Sequence, residues 1–304
     1  GAILAEHKNN AGMRAVARDE FKGVLDQALA SMDAPVSGVP VLMCGMVGSR
    51  QGWSEAPYMN LPVAISDIAH SAVRVPHVAD REVQILPGVA RQSTTTPDVM
   101  RSEETQLLGL QALDHLSDPN ADYLVCMPGS HAKWVSIKDG VMIDFHSAMT
   151  GELIAAATTS TVLRHSFDAS SGLPDIAPDN PVFRRAVEQA LADPTTILNA
   201  LFVTRARALL NGDKSEQSAA WLSGSVIGHD VGAARQKFKN STRSVLVGGG
   251  KQGPLYHAVM QMAGMQTQIA NADDASVAGL YQAACQIWPA RFNMHETQRT
   301  RVAQ

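Results

Sequence analysis

The sequence predicts an α/β protein of two domains. Its 304 residues exceed what one hydrophobic core usually serves. Near the start, a short valine-rich run, Val39 to Met43, leads into the glycine-rich stretch Gly45-Met46-Val47-Gly48-Ser49, as a buried parallel strand leads into a ligand-binding turn. After Ser117-Asp118-Pro119-Asn120, the best linker in the chain, the pattern changes to three strands joined by tight turns. These observations place one domain over residues 1–118 and a second over residues 119–304.

Taken in order, the opening Gly1-Ala-Ile-Leu-Ala-Glu reads as a turn glycine leading into a strand, the second arm of a hairpin whose first arm is missing. From Arg18 to Met32, Phe21, Val24, Leu25, Ala28 and Leu29 fall on one helical stripe. Val83 to Leu86 is a strand broken by Pro87-Gly88, Ser93 to Asp98 a loop, and a helix begins near Ser102 with Leu107, Leu108, Leu110 and Leu113 directed inward.

In the second domain, Tyr123 to Met127, Lys133 to Ile137 and Val141 to Phe145 form an antiparallel meander through turns at Pro128-Gly129-Ser130 and Asp139-Gly140. Helical patterns run over Val182 to Leu191, Ile197 to Leu210 and Ser218 to Ala234. Ser244 to Val247 is a strand entering Gly248-Gly249-Gly250, with a helix from about Pro254 to Ala263. A last strand, Thr267 to Ala270, and a helix, Ser276 to Ile287, precede a loosely ordered tail after Pro289.

Composition removes several function classes. A net charge of -4 leaves no basic footprint for nucleic acid. No apolar run approaches the ~18 residues that span a bilayer, and no signal-peptide pattern is present, so a cytoplasmic location is expected. Cys44, Cys126 and Cys285 are far apart and read as buried free thiols, and no Cys/His cluster has metal-ligand spacing. Oligomeric state is not legible, and a homo-oligomer stays open.

The candidate chemistry lies in a few segments. Glu103 and Glu104 open a helix, where two acids favour the helix dipole whatever else they do; one could also accept a proton from an attacking hydroxyl. Arg101 beside them is either a surface charge or a planar fork for a carboxylate. Gly45, Gly48 and Ser49 allow close backbone approach, whereas Trp53 and Met46 read as packing. The turn Gly129-Ser130-His131, with Lys133 behind it, is a plain hairpin turn or a phosphate loop offering backbone N–H groups and charge. Thr150 and Gly151 follow the third strand and suit ligand contact or domain closure equally.

In register, these segments resemble the 2-dehydro-3-deoxygalactonokinase family of the actin, hexokinase and sugar-kinase superfamily. The resemblance is carried by Gly45 to Ser49 with Gly52-Trp53, by Met100-Arg101-Ser102-Glu103-Glu104-Thr105-Gln106, by Met127 to Val135, and by Met149-Thr150-Gly151-Glu152-Leu153. Leu222-Ser223-Gly224 to Gly228 and Val247 to Gly250 match more weakly. The resemblance implies two ribonuclease-H-like (actin/hexokinase-type) domains around an interdomain cleft. It implies ATP and Mg2+ as cofactors, and transfer of the γ-phosphoryl to the 6-hydroxyl of 2-dehydro-3-deoxygalactonate.

Residue by residue, the resemblance implies that one of Glu103 and Glu104 is the base; Glu104 is the first choice, since Glu103 sits nearer the solvated helix start. Gly45, Gly48, Ser49 and Arg101 would face the sugar acid. Gly129, Ser130, His131, Lys133, Thr150 and Gly151 would face the phosphates, and Gly248, Gly249 and Gly250 the adenosine. The family's first phosphate hairpin, with its metal-binding Asp, would precede Gly1, so no metal ligand is assigned; position 102 is Ser where Gly is expected. A kinase for an epimeric 2-keto-3-deoxy sugar acid, and a non-catalytic sugar-acid or nucleotide sensor on the same fold, are the alternatives.

Overall fold

The computed structural model describes residues 2–9, 11, 16–76, 78, 80–168 and 172–292. The chain divides into two compact units, Gly1–Leu116 together with Asp274–Gln304, and Ser117–Asp273.

The first unit holds two small sheets. In one, β1 (Val41–Met43) runs parallel to β5 (Val83–Ile85), and β4 (Val73–Arg74) pairs antiparallel on the other side of β5. In the other, β2 (Tyr58–Asn60) runs parallel to β6 (Gly88–Arg91), which pairs antiparallel with β7 (Asp98–Met100). A short strand β3 (Val63–Ala64) lies between them in sequence. Ala56, Val75, Val83 and Ile85 are the buried centre of one core cluster, with Leu25, Val41 and Trp53 packed on it. Helix α1 (Phe21–Ala30) buries Phe21, whose ring stacks on Trp53 with centroids 6.3 Å apart. Helix α2 (Glu103–Ala112) buries Leu107, Leu108 and Leu110.

The second unit is built on β8 (Tyr123–Met127), β9 (Ala132–Lys138), β10 (Val141–Ala148), β11 (Arg243–Gly248) and β12 (Thr267–Asn271), in the sheet order β12-β11-β8-β9-β10. The meander β8-β9-β10 is antiparallel, while β11 runs parallel to both β8 and β12. Helices α3 (Thr150–Ser160), α4 (Pro181–Ala192), α5 (Ile197–Leu210), α6 (Ser215–Lys237) and α7 (Gln252–Met262) belong to this unit, and α8 (Ala272–Ile287) ends the helical order. Buried nearly all round, α6 packs on α4, where Gly224 and Gly228 leave no room for a Cβ against Phe183 and Ala190. No described helix is long and apolar enough to cross a membrane.

Several sequence expectations need correction. Residues 2–9 form no strand, and Ile3 and Leu4 are largely exposed: no strand among the described residues pairs with them. Met46 does not pack; it is half exposed. Only Cys126 is fully buried, Cys44 and Cys285 being half-buried free thiols. After a break at Trp288, residues 289–292 are helical, and the rest of the tail lies outside the described residues. Strands β2, β3, β4, β6 and β7 were unexpected. Each is two to four residues long, too short to show alternation.

Candidate active site

The topology of the second unit gathers its candidate residues at one sheet edge. Because β9 is antiparallel to both β8 and β10, and β11 is parallel to β8, the strands β8, β10 and β11 all end on the same side. The turn Gly129-Ser130, the start of α3 at Thr150 and the run Gly248-Gly249-Gly250 therefore share that edge. It is the carboxyl edge, where open sheets of this kind bind ligands. A cavity of about 510 Å³ lined by Asp118, Tyr123, Arg243 and Thr267 sits at the starts of β8, β11 and β12 instead, and takes no part.

The packing at this edge is close. A Cβ on Gly151 would stand 2.5 Å from the Gly129 carbonyl oxygen and 3.0 Å from the Ser130 Cα, so only glycine lets α3 start directly beneath the turn. The Glu152 N–H donates to the Ser130 carbonyl at 3.0 Å, and the Glu152 carboxylate pairs with the His131 ring. Ser130 and His131 are exposed, whereas Lys133 is buried with Nζ donating to the His131 carbonyl at 3.1 Å. Gly250 takes a φ of +57°, which suits glycine, and α7 starts two residues later. Gln252 was not singled out by the sequence. Its Nε2 lies 3.0 Å from the Gly151 Cβ position, and its buried Oε1 has no hydrogen-bond partner.

In the first unit a second cluster forms around the start of α2. Gly45 has φ +87° and ψ -154°, a backbone conformation open in practice only to glycine, and its Cβ position is 3.7 Å from Ser102. Ser102 itself has φ +99°. That strained backbone explains why the resemblance calls for glycine at this position. A Cβ on Gly48 would come within 2.8 Å of Arg101 Nη1, so Gly48 makes the space the guanidinium occupies. Ser49 is buried in the turn that follows.

Arg101 is 9% exposed. Its Nη2 donates to the Ala56 carbonyl at 2.7 Å, and the guanidinium lies 4.5 Å from the Tyr58 ring centroid. Its Nε and Nη1 are buried without a hydrogen-bond partner. Tyr58 reaches this position because Gly88, its partner in the β2–β6 register, has no side chain to obstruct the ring.

The two carboxylates fold back on the helix start. Glu103 accepts from the Arg101 N–H at 3.0 Å, and Glu104 accepts from the Ser102 N–H at 2.8 Å. Glu104 is fully buried, and burial, reinforced by the Glu103 charge against opposing hydrogen bonds, pushes its carboxyl up to about 8. Burial and the nearby Glu104 also push the Cys44 thiol up. The sequence-predicted residues thus form two local groups: Gly45, Gly48, Ser49, Arg101, Glu103 and Glu104 in the first unit, and the turn, Thr150, Gly151 and the Gly248 run in the second.

Comparison with known proteins gives the class first: the chain is a carbohydrate kinase. The family model described as 2-keto-3-deoxy-galactonokinase matches residues 1–283, and the chain belongs to that family. It is 40% identical over 289 residues to a protein of Rhizobium meliloti (strain 1021) assigned as a 2-dehydro-3-deoxygalactonokinase, covering 95% of this chain and 92% of that one. It is 35% identical over 241 residues to the 2-dehydro-3-deoxygalactonokinase of Escherichia coli (strain K12), covering 79% and 77%. A crystal structure of a protein from Sinorhizobium meliloti assigned the same activity matches with a TM-score of 0.87 at 39% identity, covering 95% of this chain and 93% of that one.

Proposed function

We infer that this chain transfers the γ-phosphoryl group of ATP to the 6-hydroxyl of 2-dehydro-3-deoxygalactonate, with the sugar acid held by the first unit and the nucleotide by the second. Family membership supports the reaction. Among the site's features, the buried Arg101 guanidinium carries the substrate class. A buried guanidinium with two nitrogens lacking a hydrogen-bond partner can receive an anion, and a planar fork matches a carboxylate. A sugar acid offers that group and a neutral hexose does not.

Each residue then has a role in a transfer that depends on positioning and charge stabilisation. Gly45, Gly48 and Ser49 let the substrate approach the backbone beside Arg101. Glu104 takes the proton of the attacking hydroxyl. Its raised pKa makes it a stronger base than an ordinary carboxylate, at the expense of being mostly protonated at neutral pH. Glu103 is the second candidate. The N–H groups of Gly129, Ser130, Thr150 and Gly151, the Ser130 hydroxyl, the His131 ring and the Lys133 charge face the phosphates, with Gly248 to Gly250 beside the adenosine.

Each unit is read as ribonuclease-H-like. For the second, support comes from its strand order, in which the antiparallel first three strands are extended by two parallel ones on the far side of β8. Among the described residues no three His, Cys, Asp or Glu side chains come together as a metal site. Magnesium is read as entering with ATP, and no step is assigned through it.

The test is a coupled assay with ATP and magnesium across three acceptors. Turnover on 2-dehydro-3-deoxygalactonate well above that on its gluconate epimer, and none on glucose, is the expected result. Equal rates on glucose would overturn the assignment, and a preference for the epimer would move it within the family.

A further inference from the structure

Asp230 is a buried carboxylate that the proposed reaction does not use. It sits within α6, 7% exposed, and accepts three hydrogen bonds from three different elements. Trp134 of β9 donates from Nε1 to Oδ1 at 3.0 Å. Thr150, the first residue of α3, donates to Oδ2 at 3.0 Å, and Tyr256 of α7 donates to the same oxygen at 2.5 Å. All three donors are uncharged, and burial, outweighing these hydrogen bonds and the charge interaction with His146, pushes the carboxyl above its ordinary range. A hydrophobic residue would pack here more cheaply, which makes the carboxylate a device for fixing geometry.

What it fixes is the floor of the proposed phosphate site. Thr150 directly precedes Gly151, whose backbone lies against Gly129 and Ser130, and Tyr256 lies one turn into the helix that starts with Gln252 beside the same Gly151. One carboxylate thus ties both helix starts to the strand that leaves the turn.

We propose that Asp230 is the positioning residue of the nucleotide site: by holding Thr150 and Tyr256 on one carboxylate it sets the height of the α3 and α7 N-termini under the Gly129-Ser130 turn. It touches no substrate itself. The inference rests on reading that turn as the phosphate loop.

The experiment is steady-state kinetics of the full chain, with ATP and sugar acid varied separately, on Asp230→Asn, Thr150→Val, their double variant and Tyr256→Phe. Thermal unfolding is measured alongside. Asn keeps an acceptor for Trp134 but turns a donor toward Thr150 and Tyr256. Because small displacements of positioned groups have large kinetic effects, Asp230→Asn is expected to raise the KM for ATP on the order of 10- to 100-fold, with the KM for sugar acid unchanged.

Acting through Thr150, Asp230 should give a double variant no worse than the worse single one. A lowered unfolding temperature with both KM values and kcat unchanged, or additive effects in the double variant, would overturn the proposal. If Asp230→Asn does not fold, Tyr256→Phe decides, since a KM for ATP equal to wild type there also overturns it. Gly129→Ala and Ser130→Ala separate the two readings. If they leave the KM for ATP unchanged, the phosphate-loop reading fails and the proposal with it; if they raise it while Asp230→Asn does not, positioning alone fails.

Discussion

Gly109 of α2 and Gly279 of α8 meet with no room for a side chain on either. A Cβ on Gly109 would stand 1.8 Å from the Ala275 carbonyl oxygen, and one on Gly279 would stand 1.9 Å from the Thr105 carbonyl oxygen. The contact is backbone on backbone, one turn along α2 from Glu104, and Gln106 adds a hydrogen bond to Ser276 at 3.2 Å.

Helix propensity alone makes glycine to alanine favourable by about 1 kcal/mol in a helix interior. Here the collision decides the sign, because neither carbonyl can move without its helix. Gly109→Ala and Gly279→Ala are each expected to lower stability by about 1–3 kcal/mol, the range for overpacking, measured by urea unfolding. Both should also lower kcat, because the start of α2 shifts with the helix. An unchanged midpoint in either variant would contradict the close approach.

That contact shows where the sequence stops being readable. Leu107, Leu108 and Leu110 announce α2, and Glu103 with Glu104 mark its start, so the helix and its candidate base could be placed from local pattern. Gly109 reads only as a weak point in a helix, because its partner Gly279 is far away in sequence. The same holds for Asp230, whose helix is buried on every side and so has no polar face from which an inward carboxylate would stand out. The turn at Gly129 and the glycine run at Gly248 were legible because turn chemistry is local. The orphaned N–H groups of Arg101 were not, because they follow from Gly48 and Gly88 making space.

Arg101→Lys keeps the charge but replaces the fork with a point donor that stacks poorly on Tyr58. Charge-assisted hydrogen bonds contribute about 1.5–3 kcal/mol, so the KM for sugar acid should rise roughly 10- to 100-fold. The KM for ATP should stay within about twofold. Equal rises in both constants would mean the guanidinium is a structural prop.

Gly151→Ala tests the opposite end of the reaction. The added methyl meets the Gly129 carbonyl oxygen at 2.5 Å and must lift the turn from α3. The KM for ATP is expected to rise at least about tenfold while the KM for sugar acid holds, read from initial rates with each substrate varied. No change in either constant would remove the turn from the nucleotide site.

Glu104 makes activity and stability respond to pH in opposite directions. The carboxyl titrates near its ordinary 4.5 when unfolded and about 8 when folded, so between those values the folded chain holds a proton the unfolded chain has lost. Its contribution to stability is complete below pH 4.5 and is lost as pH rises towards 8, by up to about 1.4 kcal/mol per unit. A base must be ionised, so kcat/KM should climb about tenfold per unit over the same range and level off above pH 8. Glu104→Gln removes both effects. Its kcat should fall ~10²–10⁴-fold with little change in the KM for ATP, and its unfolding midpoint at pH 8 should equal or exceed that of the wild type. Glu103→Gln, at the half-buried member of the pair, should be the milder change. If Glu104→Gln keeps more than about half of wild-type kcat while Glu103→Gln loses activity, the base is Glu103 and Glu104 only holds the helix start. A wild-type kcat that levels off near pH 5 while kcat/KM still climbs towards pH 8 would show that bound substrate brings Glu104 back to an ordinary carboxylate.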